Sequence, residues 1–274
     1  MFRRMHLAVF ALCLGTALSP WARQAAAERL VVPLSDPSRP ASVEVSVIHG
    51  SITVEAYDGQ EIIVESEFRD EAEPEAKKPR ADGLRRIPNT SQSLTIEEEA
   101  NQVEISALTW KQALDLSLKV PARTSSLTLS TATDGSIVVS GIEGELELSN
   151  ANGSIEAIGI SGSVVAQTAN GEIKVDFRQV AEGKPMAFST LNGNIDVTFP
   201  ASLKADLRMR SDHGEILTDF EFAVEQKDAV TEDRDGGGYR VQVEKEVYGK
   251  LNGGGPEIRF KTFHGNILIR KHKS

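Results

Sequence analysis

This sequence predicts an all-β repeat protein, and three observations carry the prediction. A motif of the form Asn/Asp/His-Gly-x-Ile recurs seven times. Between its copies, apolar and polar residues alternate with the period of two that marks half-buried strands. Helix signals are almost absent, and turn residues (Gly, Asn, Asp) punctuate the apolar runs every few residues.

The copies are His49-Gly50-Ser51-Ile52, Asp134-Gly135-Ser136-Ile137, Asn152-Gly153-Ser154-Ile155, Asn170-Gly171-Glu172-Ile173, Asn192-Gly193-Asn194-Ile195, His213-Gly214-Glu215-Ile216 and His264-Gly265-Asn266-Ile267. The copies at 134, 152 and 170 are 18 residues apart, and the next two steps are 22 and 21. Such spacing describes one structural unit with small loop insertions. Alignment of the 18-residue copies places Ile137 on Ile155 on Ile173, and Val139 on Ala157 on Val175. A second turn, Gly141-Ile142-Glu143-Gly144 or Gly159-Ile160-Ser161-Gly162, follows in two copies, so each copy holds two strands and two turns. Stacked copies bury their alternate apolar residues in one continuous interior.

Residues 1–27 read as a secretory signal peptide. Arg3 and Arg4 form a basic start, Leu7 to Leu18 is an apolar run, and Ala25-Ala26-Ala27 offers small residues for cleavage. That run is shorter than the ~20 residues a membrane span needs, and no later segment replaces it. An exported chain of residues 28–274 is expected, in the periplasm or at the cell surface, without a transmembrane segment. The single cysteine, Cys13, leaves with the signal, so disulfides, thiolate metal sites and cysteine nucleophiles are excluded from the mature chain. Removing Arg3, Arg4 and Arg23 from the 30 basic residues leaves 27 against 40 acids, a formal net of −13. Nucleic acid is a poor partner for so acidic a chain.

Along the mature chain, Ser42 to Ile48, Ile52 to Ala56 and Ile62 to Ser66 form the first unit of short strands. Residues 70–88 break into a charged, proline-containing insert without apolar period. Strand alternation resumes at Ser93–Glu97, Gln102–Ile105 and Leu114–Val120, and is nearly continuous from Ser125 to Phe199. A second acidic insert, 225–238, reads as a long surface excursion, followed by a strand at Tyr239–Glu244. Ile267-Leu268-Ile269 is expected to close the array, with Arg270, Lys271 and Lys273 guarding its edge. These elements make one elongated domain. The rival arrangement is an antiparallel meander or sandwich in which each Asn-Gly closes a hairpin.

No motif announces chemistry. Asn-Gly and Asp-Gly serve tight turns, because Gly takes positive φ freely and Asn, Asp and His tolerate it best among the rest. His49, His213 and His264 occupy the same motif position, but they lie 164 and 51 residues apart and lack carboxylate partners at ligand spacing, so no metal site is expected. Asp233-Arg234-Asp235-Gly236-Gly237-Gly238 lacks the alternating acids and terminal glutamate of a calcium loop. Gly253-Gly254-Gly255 does not continue into a phosphate-binding Gly-Lys-Ser or Gly-Lys-Thr, and no serine sits in Gly-x-Ser-x-Gly. Glu143, Glu145, Glu147, Glu156 and Asp176 are outward acids of the kind that a carbohydrate-active β-helix enzyme pairs on adjacent coils, without an evident aromatic platform for sugar.

The repeats resemble the bacterial "putative adhesin" domain family, a domain of unknown function in exported and envelope-associated proteins. The resemblance spans roughly residues 40 to 270. It rests on Asn-Gly-Ser-Ile and its variants, on Gly-Ser-Ile-Thr-Val-Glu-Ala-Tyr-Asp-Gly at 50–59, and on Gly-Gly-Gly-Pro-Glu-Ile-Arg-Phe-Lys-Thr-Phe-His-Gly-Asn-Ile at 253–267. It implies a right-handed, single-stranded β-solenoid with an envelope or surface role and no known catalytic residues. The expectation is therefore a non-enzymatic cell-envelope module that binds or scaffolds a protein or glycan. No catalytic, cofactor-binding or metal residue is assigned, and no cofactor. A carbohydrate-active β-helix enzyme and a periplasmic envelope-stress sensor or scaffold are the alternatives.

Overall fold

The computed structural model describes residues 28–69, 94–107, 112–233 and 240–272. The expected signal peptide at 1–27, the insert at 70–88 and the acidic stretch from 234 to 238 lie outside them. The described residues form twenty strands and contain no helix.

The first four strands are β1 (Glu28–Pro33), β2 (Ala41–His49), β3 (Ile52–Tyr57) and β4 (Glu61–Arg69). Next come β5 (Leu94–Glu99), β6 (Gln102–Ala107) and β7 (Ala113–Pro121). The close repeats supply β8 (Arg123–Thr133), β9 (Ile137–Ser140), β10 (Glu143–Asn152) and β11 (Ile155–Asn170). They continue through β12 (Ile173–Val180), β13 (Met186–Asn192) and β14 (Ile195–Phe199). The chain ends with β15 (Ala205–His213), β16 (Ile216–Thr218), β17 (Val224–Asp233), β18 (Arg240–Leu251), β19 (Glu257–His264) and β20 (Ile267–Lys271).

Each Asn-Gly-type turn divides a rung of two strands. The strand before the turn joins one column and the strand after it joins another, and within each column neighbouring rungs pair in parallel. Column one runs β5, β6, β2, β8, β10, the second half of β11, β13, β19, β15, β18, β17. Column two runs β1, β4, β7, β3, β9, the first half of β11, β12, β14, β20, β16. β11 crosses from one column to the other through register shifts near Gly159 (φ 66°), which makes the whole a single mixed sheet folded upon itself. The antiparallel meander is thereby excluded for the repeats: β10 pairs with β8 and β11 in parallel, and Ile155 lies in register between Ile137 and Ile173. Among the described residues, antiparallel pairs occur only where β1, β4, β5, β17 and β18 finish the columns.

Two sequence expectations need correction. The stack does not follow chain order. The first unit, β2 and β3, lies between the β6/β7 and β8/β9 rungs, and the final β19/β20 rung lies between β13/β14 and β15/β16. Ile267–Ile269 therefore does not close the array; the β15/β16 rung lies outside it. The physical reason is visible at both ends. Each exchanged pair of rungs is separated in sequence by a long excursion, through β4 and β5 at one end and through β17 and β18 at the other. These excursions give the chain enough length to step past a neighbour. The second correction concerns the acidic segment read as a surface excursion. Residues 224–233 are strand β17, held along its length against β18, which in turn pairs with β15.

Alternation explains the packing. In β2, Val43, Val45 and Val47 are buried, while Ser42, Glu44 and Ser46 face outward. The motif isoleucines form one in-register ladder, Ile52–Ile137–Ile155–Ile173–Ile195–Ile267–Ile216. All but Ile216 are fully buried, each stabilising the fold by about 2–3 kcal/mol. Toward the C-terminal end the interior becomes aromatic. Phe177 stacks on Phe199 at 5.1 Å and Phe188 on Phe260 at 5.2 Å, with edge contacts of 6.5 Å joining the two pairs.

The motif glycine is required by backbone proximity more than by turn type. A Cβ on Gly153 would lie 1.8 Å from the Gly135 carbonyl oxygen, and one on Gly135 would lie 1.8 Å from that of Gly50. Among the Asn, Asp and His residues of the motif only Asp134 has positive φ (46°), so the turn argument does not account for the others. Gly153→Ala is expected to cost more than 3 kcal/mol, since rung spacing must open to admit the methyl. Gly183→Ala, at φ 73° with nothing within 4 Å, is expected to cost only ~1 kcal/mol. Parallel thermal melts of the two variants check the difference.

Candidate functional site

The repeats place two sets of side chains in rows: a ridge along the motif turns, and the outer face of column one. On the ridge, the Asn position is a hydrogen-bonding ladder. Asn170 Nδ2 donates to Asn152 Oδ1 at 2.8 Å, and Asn192 Nδ2 to Asn170 Oδ1 at 2.8 Å. His264 Nδ1 lies 3.2 Å from Asn192 Oδ1, and the His213 ring stacks on it at 4.7 Å. This is the reason for Asn and His here: a short side chain with a donor and an acceptor bonds to its equivalent one strand spacing away. At the far end His49 Nε2 lies 3.8 Å from Asp134. Asp134 is an inserted residue, because Thr133 is the residue in register with His49.

Below the ridge is a second row that sequence reading missed. Thr168 Oγ1 donates to the Gly153 carbonyl at 3.0 Å, Thr190 to Gly171 at 3.0 Å, Thr262 to Gly193 at 3.1 Å and Ser211 to Gly265 at 2.9 Å. Asn150 does the same for Gly135 at 2.8 Å. Each precedes the motif Asn or His by two residues, so the full signature is Thr/Ser/Asn-x-Asn/His-Gly-x-Ile, legible as soon as the copies are aligned. These hydroxyls satisfy turn carbonyls that the core would otherwise strand.

The outer face of column one carries the exposed chemistry. Its central row reads Ser106, Ser46, Ser130, Ser149, Gln167, Ser189, Lys261, Arg210 in successive register. On one side of it runs Glu97, Glu104, Glu44, Thr128, Glu147, Val165, Ala187, Arg259, Arg208. On the other side run Ile48, Ala132, Ala151, Ala169, Leu191, Phe263 and Asp212, each one position before the in-register residues His49, Thr133, Asn152, Asn170, Asn192, His264 and His213. The face therefore changes from acidic at its β5–β6 end to one rich in arginine and lysine at its β19–β15 end, where Arg259, Arg208 and Arg210 are paired within the chain with Glu257, Glu246 and Asp212. Beside the basic end, Leu191 is 50% exposed and Phe263 41%. The two line a shallow depression of about 450 Å³ with Ala169, Ser189, Arg210, Asp212 and Lys261. The His213 ring meets Phe263 edge-on at 5.0 Å, and Arg210 Nη2 binds Asp212 at 3.0 Å.

The outward acids do not converge. Glu143, Glu145 and Glu147 belong to column one, whereas Glu156 and Asp176 lie on column two. Three of them face cations, Glu143 with Arg123 at 3.8 Å, Glu145 with Lys184 at 2.8 Å and Glu156 with Lys174 at 2.8 Å, and Asp176 lies 3.0 Å from the His272 ring. Of the three motif histidines the fold unites His213 with His264, against the impression left by their 51-residue separation, and leaves His49 at the opposite end. Among the described residues no three His, Cys, Asp or Glu side chains gather in a metal-binding group. No helix there is long and apolar enough to cross a membrane.

Next to the basic end, Glu246 is buried between Arg208 (2.6 Å) and Tyr248 (2.6 Å). Burial disfavours its charged form, but hydrogen bonds from Arg208 and Tyr248 outweigh that and hold the carboxyl below its ordinary value of 4.5. A carboxyl with a lowered folded pKa stabilises the fold above its unfolded pKa and loses that contribution as pH falls through the folded one. Stability is thus expected to decline below about pH 4.5, and Glu246→Gln to flatten that part of the curve, measured by denaturant melts across pH 3 to 7.

Two solved structures are similar in part. One, described as a putative cell adhesion protein from Clostridium sporogenes, shares 11% identity at a TM-score of 0.46, covering 90% of this chain and 100% of its own. The other, described as a putative adhesin from Bacteroides fragilis, shares 10% identity at a TM-score of 0.38, covering 90% and 97%. No curated protein matches. The family match is direct and spans residues 41–269, from the start of β2 into β20: the chain belongs to the Toastrack family DUF4097.

Proposed function

We propose that this protein is a non-enzymatic, exported cell-envelope module with adhesin-like binding, and that it engages a protein or glycan through the outer face of column one. Residues 1–27 direct export, and residues 28–274 form a single elongated unit wound as a right-handed β-solenoid. The observation that carries the reading is the shelf of Leu191 and Phe263, two large apolar side chains exposed side by side on a rigid sheet with Lys261, Arg210 and Asp212 around them. Apolar anchors ringed by polar groups are what a binding face needs. Rigid strands hold them without ordering cost. Reaction chemistry finds no such support, because the candidate carboxylates are divided between two faces and most are held by cations.

The test is a glycan array and immobilised envelope fractions probed with the purified protein. Phe263→Ser and Leu191→Ser are expected to weaken the dominant interaction about tenfold or more while leaving the melting temperature within a few degrees. Binding indifferent to both substitutions refutes this face as the site. Turnover of a bound polysaccharide, measured as released reducing ends, refutes the non-enzymatic reading.

A further inference from the structure

We infer that the shelf at Phe263 takes a sugar: one neutral pyranose residue of a glycan, its ring laid on Phe263 and Leu191 and its hydroxyls held by Asp212 and Lys261. This rests on the reading above that the outer face of column one is the binding surface, and it chooses glycan over protein as the ligand.

The first observation is the size of the patch. Leu191, Phe263 and Asp212 lie side by side on β13, β19 and β15, because the residues that follow them, Asn192, His264 and His213, are in register. Two residues earlier on the same strands, Ser189, Lys261 and Arg210 form a second row. Three strands about 4.8 Å apart and a rise of two residues make a patch of roughly 10 Å by 7 Å. The first row falls to Ala169 on one side and ends in Asp212 on the other, so its apolar surface here stops at two anchors. A standard protein interface buries ~800 Å² per partner, far more than such a patch supplies. The depression of about 450 Å³ is instead of the size that small ligands occupy.

The second observation is an acceptor and a donor beside the ring that the chain leaves unused. Arg210 Nε and Nη2 both donate to Asp212 Oδ1, at 3.1 and 3.0 Å, which fixes the carboxylate in place. Among the described residues Asp212 Oδ2 accepts no hydrogen bond and Lys261 joins no ion pair, and both side chains line the depression. A sugar hydroxyl can donate to the carboxylate while its neighbour accepts from the ammonium. A sugar acid would bring its carboxylate up to Asp212, and that like-charge contact favours a neutral ring.

The third observation is the aromatic ring itself. Phe263 is 41% exposed, yet its ring is held by the edge contacts of His213 at 5.0 Å and His264 at 4.5 Å. A ring so fixed loses little freedom when a ligand lands on it. The C–H groups on the flat side of a pyranose are drawn to the negative face of an aromatic ring. Leucine covers similar area without that face, so a sugar distinguishes the two where a greasy protein contact does not.

The test is an array of neutral oligosaccharides of glucose, galactose, mannose and N-acetylglucosamine, printed beside oligomers of the corresponding uronates. The best neutral binder is then titrated calorimetrically. Phe263→Leu is expected to weaken it about fivefold or more, and Phe263→Trp to recover what Phe263→Leu loses. Asp212→Ala and Lys261→Met are each expected to weaken it about tenfold or more, with thermal melts showing that every variant folds. Binding of uronates in preference to neutral sugars, or undiminished affinity in Phe263→Leu, overturns the inference. If no glycan binds while an envelope protein is captured in a manner abolished by Phe263→Ser, the sugar assignment fails and the binding-module reading stands. If neither glycan nor protein binds, both fail.

Discussion

Everything in this fold depends on how closely one glycine turn lies against the next. Parallel strands about 4.8 Å apart must stay that close through the turn as well as along the strands. At the turn there is no pleat to carry a side chain clear of the neighbouring rung. The carbonyl oxygen of one motif glycine occupies the space into which a Cβ on its neighbour would project. Glycine is thus a packing requirement at that point. The hydroxyl two residues before the motif follows from it, because a backbone carbonyl pressed into the interior needs a donor, and Thr168, Thr190 and Thr262 supply one. The isoleucine two residues after the glycine fixes the first inward position of the next strand. The motif is a coupled set in which each residue meets a need the others create.

This coupling explains which parts of the fold were legible in the sequence. The strands, their alternation, the in-register Ile137–Ile155–Ile173 ladder and the all-β class follow from local pattern, since each rung repeats the same solution. Rung order does not follow. Every copy offers its neighbours the same Ile ladder, the same glycine contact and the same polar ridge, so Ile52 fits between Leu116 and Ile137 as well as it would at the end of the stack. What decides the order lies outside the repeats, in the long excursions on either side of the exchanged rungs. The exchange also changes the edges. A sequential stack would end on a repeat strand with open hydrogen bonds, a template for further pairing. Here column one ends on β5 and β17, antiparallel additions whose sequences differ from the repeats.

The candidate site was less legible for the same reason. Single outward residues such as Glu44, Glu104 or Arg259 look like ordinary solvated positions on half-buried strands, and each taken alone is that. Their meaning comes from register. Glu44 and Glu104 are 60 residues apart in sequence and adjacent in space, a juxtaposition that emerges only after the swapped rung order is known. The histidines show the same effect in reverse. Reading His49, His213 and His264 as one equivalent set was correct for motif position, but only the latter two are neighbours, where they extend the asparagine ladder.

A repeat architecture separates stability from recognition in a way compact folds do not. Inward positions and the turn ridge are dictated by stacking, so a substitution there is felt by both adjacent rungs. Outward positions on column one make contacts at the surface only, and they carry Ser, Ala, Glu, Lys, Leu and Phe in different rungs. That freedom makes the composition of the outer face informative. Polar side chains cost nothing there, yet Leu191 and Phe263 stand exposed beside one another. Both columns carry ion pairs between outward residues: Glu156 with Lys174 and Asp196 with Arg270 on column two, Glu145 with Lys184 and Arg259 with Glu257 on column one. What sets column one apart is that Leu191 and Phe263, both large and exposed, lie side by side on adjacent strands. Stacking makes no demand for large apolar side chains at these outward positions, so their presence there is the feature that the proposed binding role explains.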